Sequence, residues 1–299
     1  MTIPLPLKMG DRVALIAPSG AVVPERIVPA IKAVKAMGFE AVPGAGITER
    51  LRYMAGNDNV RARDINSMFA RRDIRGIIAM RGGYGASRLL ELLDYEAIRR
   101  NPKFFAGYSD ITVLHTVLNQ RCGLISFHAP MAATELCCGA DHYTREMFIN
   151  AAMGRFRGTV QNPPDMKIKT LRGGRCAGRL AGGNLTSIVA GLGTRYELDT
   201  SGKILFLEEV NEPPYKIDRL LTQLRLSGKL DAAAGIVLGS FEDCGEELEL
   251  LEIWHEVLPY KKPVVYNLAA GHRLPMASLA LGAKYLLNAE RGVLACMEP

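Results

Sequence analysis

The tetrapeptide Gly107-Tyr108-Ser109-Asp110 places a serine where an apolar run, Phe104-Phe105-Ala106-Gly107, gives way to a helical pattern. At a turn from strand to helix, a serine hydroxyl aims beyond the sheet edge, above the helix N-terminus. There the helix dipole and the free N–H groups of the first turn favour developing negative charge, as the oxyanion of an acyl transfer requires. Ser109 or Asp110 would serve equally as a plain helix N-cap. The final glycine of a G-x-S-x-G turn is absent.

A second segment, Arg81-Gly82-Gly83-Tyr84-Gly85, also follows an apolar run and precedes a helical one. Consecutive glycines let backbone N–H groups approach a ligand closely, which makes this loop a candidate for a second oxyanion donor. A phosphate cradle is the rival reading, but neither G-x-x-x-x-G-K-[ST] nor a spaced G-x-G-x-x-G occurs. A serine nucleophile needs a base, and five histidines are available. His115 and His255 fall within helical periods and suit packing or surface roles. His272, in Asn267-Leu268-Ala269-Ala270-Gly271-His272, lies just past an expected strand in the kind of loop where functional residues collect. His128 comes second. A carboxylate normally orients such a base, and Leu205-Phe206-Leu207-Glu208-Glu209-Val210 sets two acids near the end of an apolar strand. Strand side chains alternate, so Glu208 and Glu209 point to opposite faces and at most one can meet His272. Periodicity leaves the choice open.

The elements that must position these residues alternate. Strands are expected at Arg12 to Ala17, Phe39 to Val42, Gly76 to Met80 and Phe104 to Gly107. Helices are expected at Pro24 to Met37, Asp58 to Ala70, Ala86 to Leu93 and Asp110 to Asn119. Such alternation implies a parallel sheet covered on both faces. Near Gln161-Asn162-Pro163-Pro164 the composition shifts. We therefore expect a domain over 1–160, a linker over 161–177 and a second domain over 178–299. The second domain begins with a Gly182-Gly183-Asn184 turn and a helix from Leu185 to Leu192. A strand at Lys203 to Val210, a helix at Tyr215 to Leu226, strands at Ile236 to Leu238 and Val264 to Tyr266, and β-rich material from Ala280 onward follow.

Composition limits the alternatives. The 299 residues are 48% hydrophobic and 23% charged, which excludes disordered and disulfide-scaffold classes. The net charge of +6 raises the question of nucleic acid. However, the basic groups Arg61, Arg63, Arg71, Arg72 and Arg75 alternate with apolar residues as on the wet face of a helix, so acidic small substrates fit better and no nucleic-acid partner is expected. No apolar run has the length of a membrane helix, and the N-terminus does not read as a signal peptide, so the expected location is the cytoplasm. Six cysteines without C-x-x-C or zinc-ribbon spacing agree with a reducing compartment. Cys137, Cys138 and His142 could be imagined as a metal site, but buried thiols are the plainer reading, and no metal is expected.

In their order these segments resemble the LD-carboxypeptidase family of serine peptidases, also called muramoyltetrapeptide carboxypeptidases. The resemblance runs nearly end to end. It covers Ala17-Pro18-Ser19-Gly20, Ala55-Gly56-Asn57-Asp58, the Arg81 to Gly85 loop, Gly107-Tyr108-Ser109-Asp110, His128-Ala129-Pro130-Met131, Gly182-Gly183-Asn184-Leu185, Leu207-Glu208-Glu209 with Tyr215-Lys216-Ile217-Asp218-Arg219, and Gly271-His272. It implies a Ser-Glu-His triad on Ser109, Glu208 and His272, favouring the first glutamate. It implies an oxyanion hole from the backbone N–H of Asp110 and of the Gly82-Gly83 turn, with either glycine as donor. Arg81 and Arg273 flank the implied site and are candidates to hold a terminal carboxylate. The implied architecture is α/β, with a flavodoxin-like parallel-sheet domain akin to class I glutamine amidotransferases joined to a smaller swivelling β/α domain. The serine would come from the first domain and the Glu and His from the second, commonly in a homodimer. The implied reaction needs no cofactor and releases the terminal D-alanine of murein tetrapeptides in peptidoglycan recycling. Within the family, some members instead cleave a peptidyl-nucleotide antibiotic and confer self-immunity. Those would be expected to carry extra loop sequence and an aromatic residue for base stacking, whereas Trp254 here lies far in sequence from the motifs. A non-catalytic module binding acidic sugars or peptides is the reading outside enzymes.

Overall fold

A computed structural model describes residues 1–298 of the chain. The chain divides into two compact units, the first comprising Met1–Phe156 with Ser278–Ala280, the second Arg157–Ala277 with the residues from Leu281 onward. Each is a mixed α/β unit with parallel strands at its centre.

In the first unit, β1 (Arg12–Ile16) leads to α1 (Pro24–Ala36), which has a proline in its first turn, Glu25 near its N-terminus and Lys35 near its C-terminus. Next come β2 (Glu40–Pro43) and α2 (Asp58–Ala70), where Asn57 Oδ1 accepts the Val60 N–H at 3.0 Å. β3 (Ile74–Ala79), α3 (Tyr95–Arg100), β4 (Phe104–Gly107), α4 (Thr112–Cys122), β5 (Ser126–His128) and α5 (His142–Ala152) complete the succession. The sheet runs β2-β1-β3-β4-β5 with all neighbours parallel, and a short strand from far downstream, Leu279–Leu281, lies beside β5. Because both faces are covered, β1, β3 and β4 read as nearly continuous apolar runs rather than alternating ones.

In the second unit, the elements are β6 (Gly158–Thr159), β7 (Lys169–Arg172), β8 (Arg175–Asn184), α6 (Leu185–Val189), β9 (Ile204–Val210), α7 (Pro214–Leu226), α8 (Lys229–Ala232), β10 (Gly235–Glu242), α9 (Glu247–Val257) and β11 (Val264–Tyr266). After β12, the Leu279–Leu281 strand already placed, β13 (Lys284–Asn288) and β14 (Val293–Cys296) follow. The sheet order is β6-β14-β13-β8-β9-β10-β11-β7. β8, β9, β10 and β11 are parallel, and the flanking pairings are antiparallel. Leu205 and Leu207 of β9, with Ile236 and Leu238 of β10, meet Leu185, Ile217, Leu221 and Trp254 of the helices in one buried core. Each such side chain contributes roughly 1.5–3 kcal/mol on burial.

Several local expectations are corrected. Ala86 to Leu93 forms only a 3-10 turn at Ala86–Leu89, because Asp94 caps a new helix by accepting the Ala97 N–H. The stretch 161–177, expected as linker, contributes β7 and the start of β8 to the sheet. Gly182 and Gly183 end β8 rather than making a turn. Gly182 holds φ +132°, and a Cβ there would fall 1.9 Å from the Phe206 carbonyl oxygen, so the pair serves close strand approach. Arg61 is not on a wet face. It is 1% exposed, and its Nη1 donates to the carbonyls of Pro18 at 2.7 Å and Gly85 at 2.8 Å.

Candidate active site

In the first unit β4 ends at Gly107, Tyr108 is extended, and Ser109 takes φ +63° before the chain turns into α4 through a 3-10 turn at Ser109–Ile111. A left-handed serine is strained by about 1–3 kcal/mol, a cost tolerated where the conformation has a use. Here it sets a half-buried hydroxyl at a sharp strand-to-helix corner. Capping does not account for the motif, since the cap position is Tyr108 and no side-chain cap bond forms. Gly107 fits the corner because a Cβ would meet Ile111 at 3.0 Å and Ala79 at 3.1 Å.

The Arg81 to Gly85 loop packs directly on this corner. A Cβ on Gly82 would stand 2.7 Å from Ser109 Cβ and 2.8 Å from its Oγ, whereas one on Gly83 would meet Gly20 Cα at 3.2 Å. The Gly20 N–H donates to the Gly82 carbonyl at 3.1 Å. The Asp110 carboxylate accepts Ser19 Oγ–H at 2.7 Å and the Ala86 N–H at 2.8 Å. It thereby ties together both loops that flank the serine. Burial raises the Asp110 pKa, against the bonds from Ser19 and Ala86. Arg81 Nη1 donates to the Ala21 carbonyl at 3.3 Å, so its side chain lies along the 20–21 loop. His128 is wholly buried in β5 against the Tyr108 ring. His115 bonds the Gly107 carbonyl at 2.8 Å and Ser126 Oγ at 2.9 Å, and burial pushes its pKa down to about 4. Both histidines belong to the packing beneath Ser109.

In the second unit, His272 Nδ1 lies 2.7 Å from Glu208 Oε2, with the glutamate side chain 0% exposed and the imidazole 16% exposed. Burial raises the Glu208 pKa, opposed by the charge and hydrogen bond of His272. The loop carrying the histidine is shaped by Gly271 at φ +127°, where a Cβ would collide with Ser240 Oγ at 2.3 Å and Glu208 Oε2 at 2.9 Å. The Ser240 N–H donates to the Ala270 carbonyl at 2.8 Å, which fixes the loop to the end of β10. Glu209 faces the helix layer. Its Oε1 accepts Asn184 Nδ2–H at 2.6 Å, and its Oε2 accepts the Thr186 N–H at the start of α6 at 2.7 Å. The alternation of β9 thus divides the two acids between an imidazole and a helix N-terminus. Arg273 is exposed, with its Nε 3.7 Å from Glu242 Oε2. It borders a cavity of about 370 Å³ that Ser240, Trp254 and Tyr266 also line, but Glu208 and His272 do not.

Among the described residues no group of three or more His, Cys, Asp or Glu is arranged to hold a metal ion, and no helix is long and apolar enough to cross a membrane. Ser240 was not singled out from sequence, and Asn184 and Arg61 were read there only as parts of a turn and of a wet face. Asn184 carried a signal, as an N-cap residue ahead of an apolar run. Ser240 meets Ala270, 30 positions on, and Arg61, besides its neighbour Asp58, meets the carbonyls of Pro18 and Gly85, 43 and 24 positions away.

A parallel-sheet unit with a strained serine corner and a second unit with a buried carboxylate on an imidazole are joined by clear relatives. Residues 13–129 match the LD-carboxypeptidase N-terminal domain and residues 177–287 the LD-carboxypeptidase C-terminal domain. The "Probable murein peptide carboxypeptidase" of Bacillus subtilis is 33% identical over 95% of this chain and 91% of its own. The microcin C7 self-immunity protein MccF of Escherichia coli is 30% identical over 95% and 92%. The crystal structure of muramoyltetrapeptide carboxypeptidase from Oxalobacter formigenes superposes with a TM-score of 0.84 at 31% identity, over 95% of this chain and 97% of that one. The chain belongs to the LD-carboxypeptidase family of serine peptidases.

Proposed function

We propose that this chain is a serine LD-carboxypeptidase that releases the terminal D-alanine from murein tetrapeptides by acyl transfer. The observation that carries the reading is the 2.7 Å bond from His272 Nδ1 to the buried Glu208. With Nδ1–H donating to the carboxylate, Nε2 is the basic nitrogen, and the anion stabilises the imidazolium that forms. In this reading His272 takes the Ser109 proton, Ser109 Oγ attacks the carbonyl of the third residue, and the proton passes to the departing amine of D-alanine. Water then cleaves the acyl-enzyme by the same base. The N–H groups of Asp110 and of Gly82 or Gly83 receive the oxyanion. Arg81 and Arg273 are proposed to hold the terminal carboxylate.

The parallel order β2-β1-β3-β4-β5 supports a flavodoxin-like first domain akin to class I glutamine amidotransferases. A swivelling second domain, a homodimer and a cytoplasmic location complete the proposal. The test is D-alanine release from purified murein tetrapeptide, read by mass spectrometry, with Ser109→Ala alongside. Release by the wild type alone supports the activity and the nucleophile together. No release by either shifts weight to a peptidyl-nucleotide substrate or a binding role.

A further inference from the structure

We propose that Tyr53 and Tyr84 form a shelf that binds a sugar ring of the substrate beside the nucleophile; this rests on the murein-peptide reading above. The two rings stand side by side on the surface of the first unit, with centroids 5.9 Å apart and planes at 57°. They are 55% and 51% exposed. Two neighbouring aromatics left in water are a large apolar area kept available for contact.

The shelf is held rigid. The Ala21 N–H donates to the Tyr53 carbonyl at 2.9 Å, and Leu51 and Met54 exchange backbone bonds across Tyr53 at 2.9 and 3.0 Å. Tyr84 sits between Gly83 at φ +119° and Gly85 at φ +127°, and the Gly85 carbonyl accepts from buried Arg61. Tyr84 is two residues from Gly82, which abuts Ser109, so the shelf belongs to the loop that packs on the nucleophile's corner.

The geometry selects the ring. At 5.9 Å the tilted tyrosines leave no slot in which a flat base could lie between them. They present instead a shallow V suited to the C–H faces of a puckered pyranose. The exposed guanidinium of Arg52, 5.9 Å over the Tyr53 ring, supplies donors for hydroxyl and amide oxygens at its edge.

The experiment compares kcat/KM for the muramoyl tetrapeptide with that for the sugar-free tetrapeptide, in the wild type, Tyr53→Ala and Tyr53→Phe. The ratio is expected to fall about tenfold in Tyr53→Ala, mostly through KM, and to recover in Tyr53→Phe. An unchanged ratio overturns the shelf while leaving the carboxypeptidase reading intact. Saturation-transfer NMR with N-acetylmuramic acid decides the same question without turnover. A signal in the wild type that is lost in Tyr53→Ala supports the shelf even if no D-alanine is released, and no signal in the wild type overturns it. Sedimentation of Tyr53→Ala is the remaining arm. Dissociation of a wild-type oligomer would assign the rings to an interface and overturn the proposal.

Discussion

Glu208 and His272 come from segments 64 positions apart, yet meet at 2.7 Å with the carboxylate sealed from solvent. A sealed anion is costly unless partnered, so this pair persists only because the imidazole meets it and the Gly271 backbone closes over it.

Glu208→Gln keeps the shape of that contact and removes its charge. The expected outcome is a fall in kcat on the order of 10⁴, the scale known for an acid-to-amide change in a comparable triad, with the fold retained. Glu209→Gln should do the reverse, costing about 1–3 kcal/mol of stability through the lost bond at the start of α6 while kcat changes less than tenfold. Steady-state kinetics and urea midpoints on both variants check the division. Equal kinetic effects would contradict it.

Ser109→Ala should lower kcat by about 10⁶, as for a comparable nucleophile. Ser109→Gly should be just as inactive, but with a melting temperature equal to or above the wild type, because glycine adopts φ +63° without strain. A lower melting temperature for the glycine variant would show that the serine side chain stabilises the corner.

Gly82→Ala introduces a Cβ 2.7 Å from Ser109 Cβ. We expect kcat to drop about 10²-fold, the range for disturbing one oxyanion donor or displacing the nucleophile by a fraction of an ångström. A crystal structure of the variant should show the Ser109 rotamer or the Gly82 backbone displaced. Unaltered kinetics would remove this loop from the site.

His115 predicts an acid limb in stability. Its folded pKa, pushed down to about 4 by burial, lies below the unfolded value of about 6.5. The unfolded chain therefore takes up a proton first, and stability is lost as the pH falls from 6.5 towards 4, by roughly 3 kcal/mol at most. Asp110 and Glu208, with raised pKa values, contribute slopes of the opposite sign, so the difference between wild type and His115→Gln isolates the histidine. Between pH 7 and 5 the variant's urea midpoint should fall less than the wild type's, or rise. An unchanged slope would mean that His115 takes up a proton in the folded state.

Much of the first unit was legible because its strands are short apolar runs punctuated by glycine or proline, and α2 spans the expected Asp58 to Ala70. What escaped was non-local. Gly182-Gly183 obeys the local rule for a turn, yet its conformation is required by the Phe206 carbonyl on a neighbouring strand. Arg61 sits in a pattern that reads as surface, yet carbonyls of two distant loops bury it. The residues of the candidate site were readable as types and spacings. Which glutamate faces the imidazole was not, since alternation says only that the two differ, and the partner of each is set by strand register and by the loop after β11.

The strand Leu279–Leu281 lies next to β5, although nearly the whole second unit separates them in sequence. On a ribosome the first sheet therefore cannot be completed when its own residues emerge. Until residues 279–281 are made, β5 is a bare edge, with unpaired backbone groups able to pair with another nascent chain. Chaperone dependence and low yields of the N-terminal half expressed alone would follow from the order of synthesis rather than from any weakness in its core.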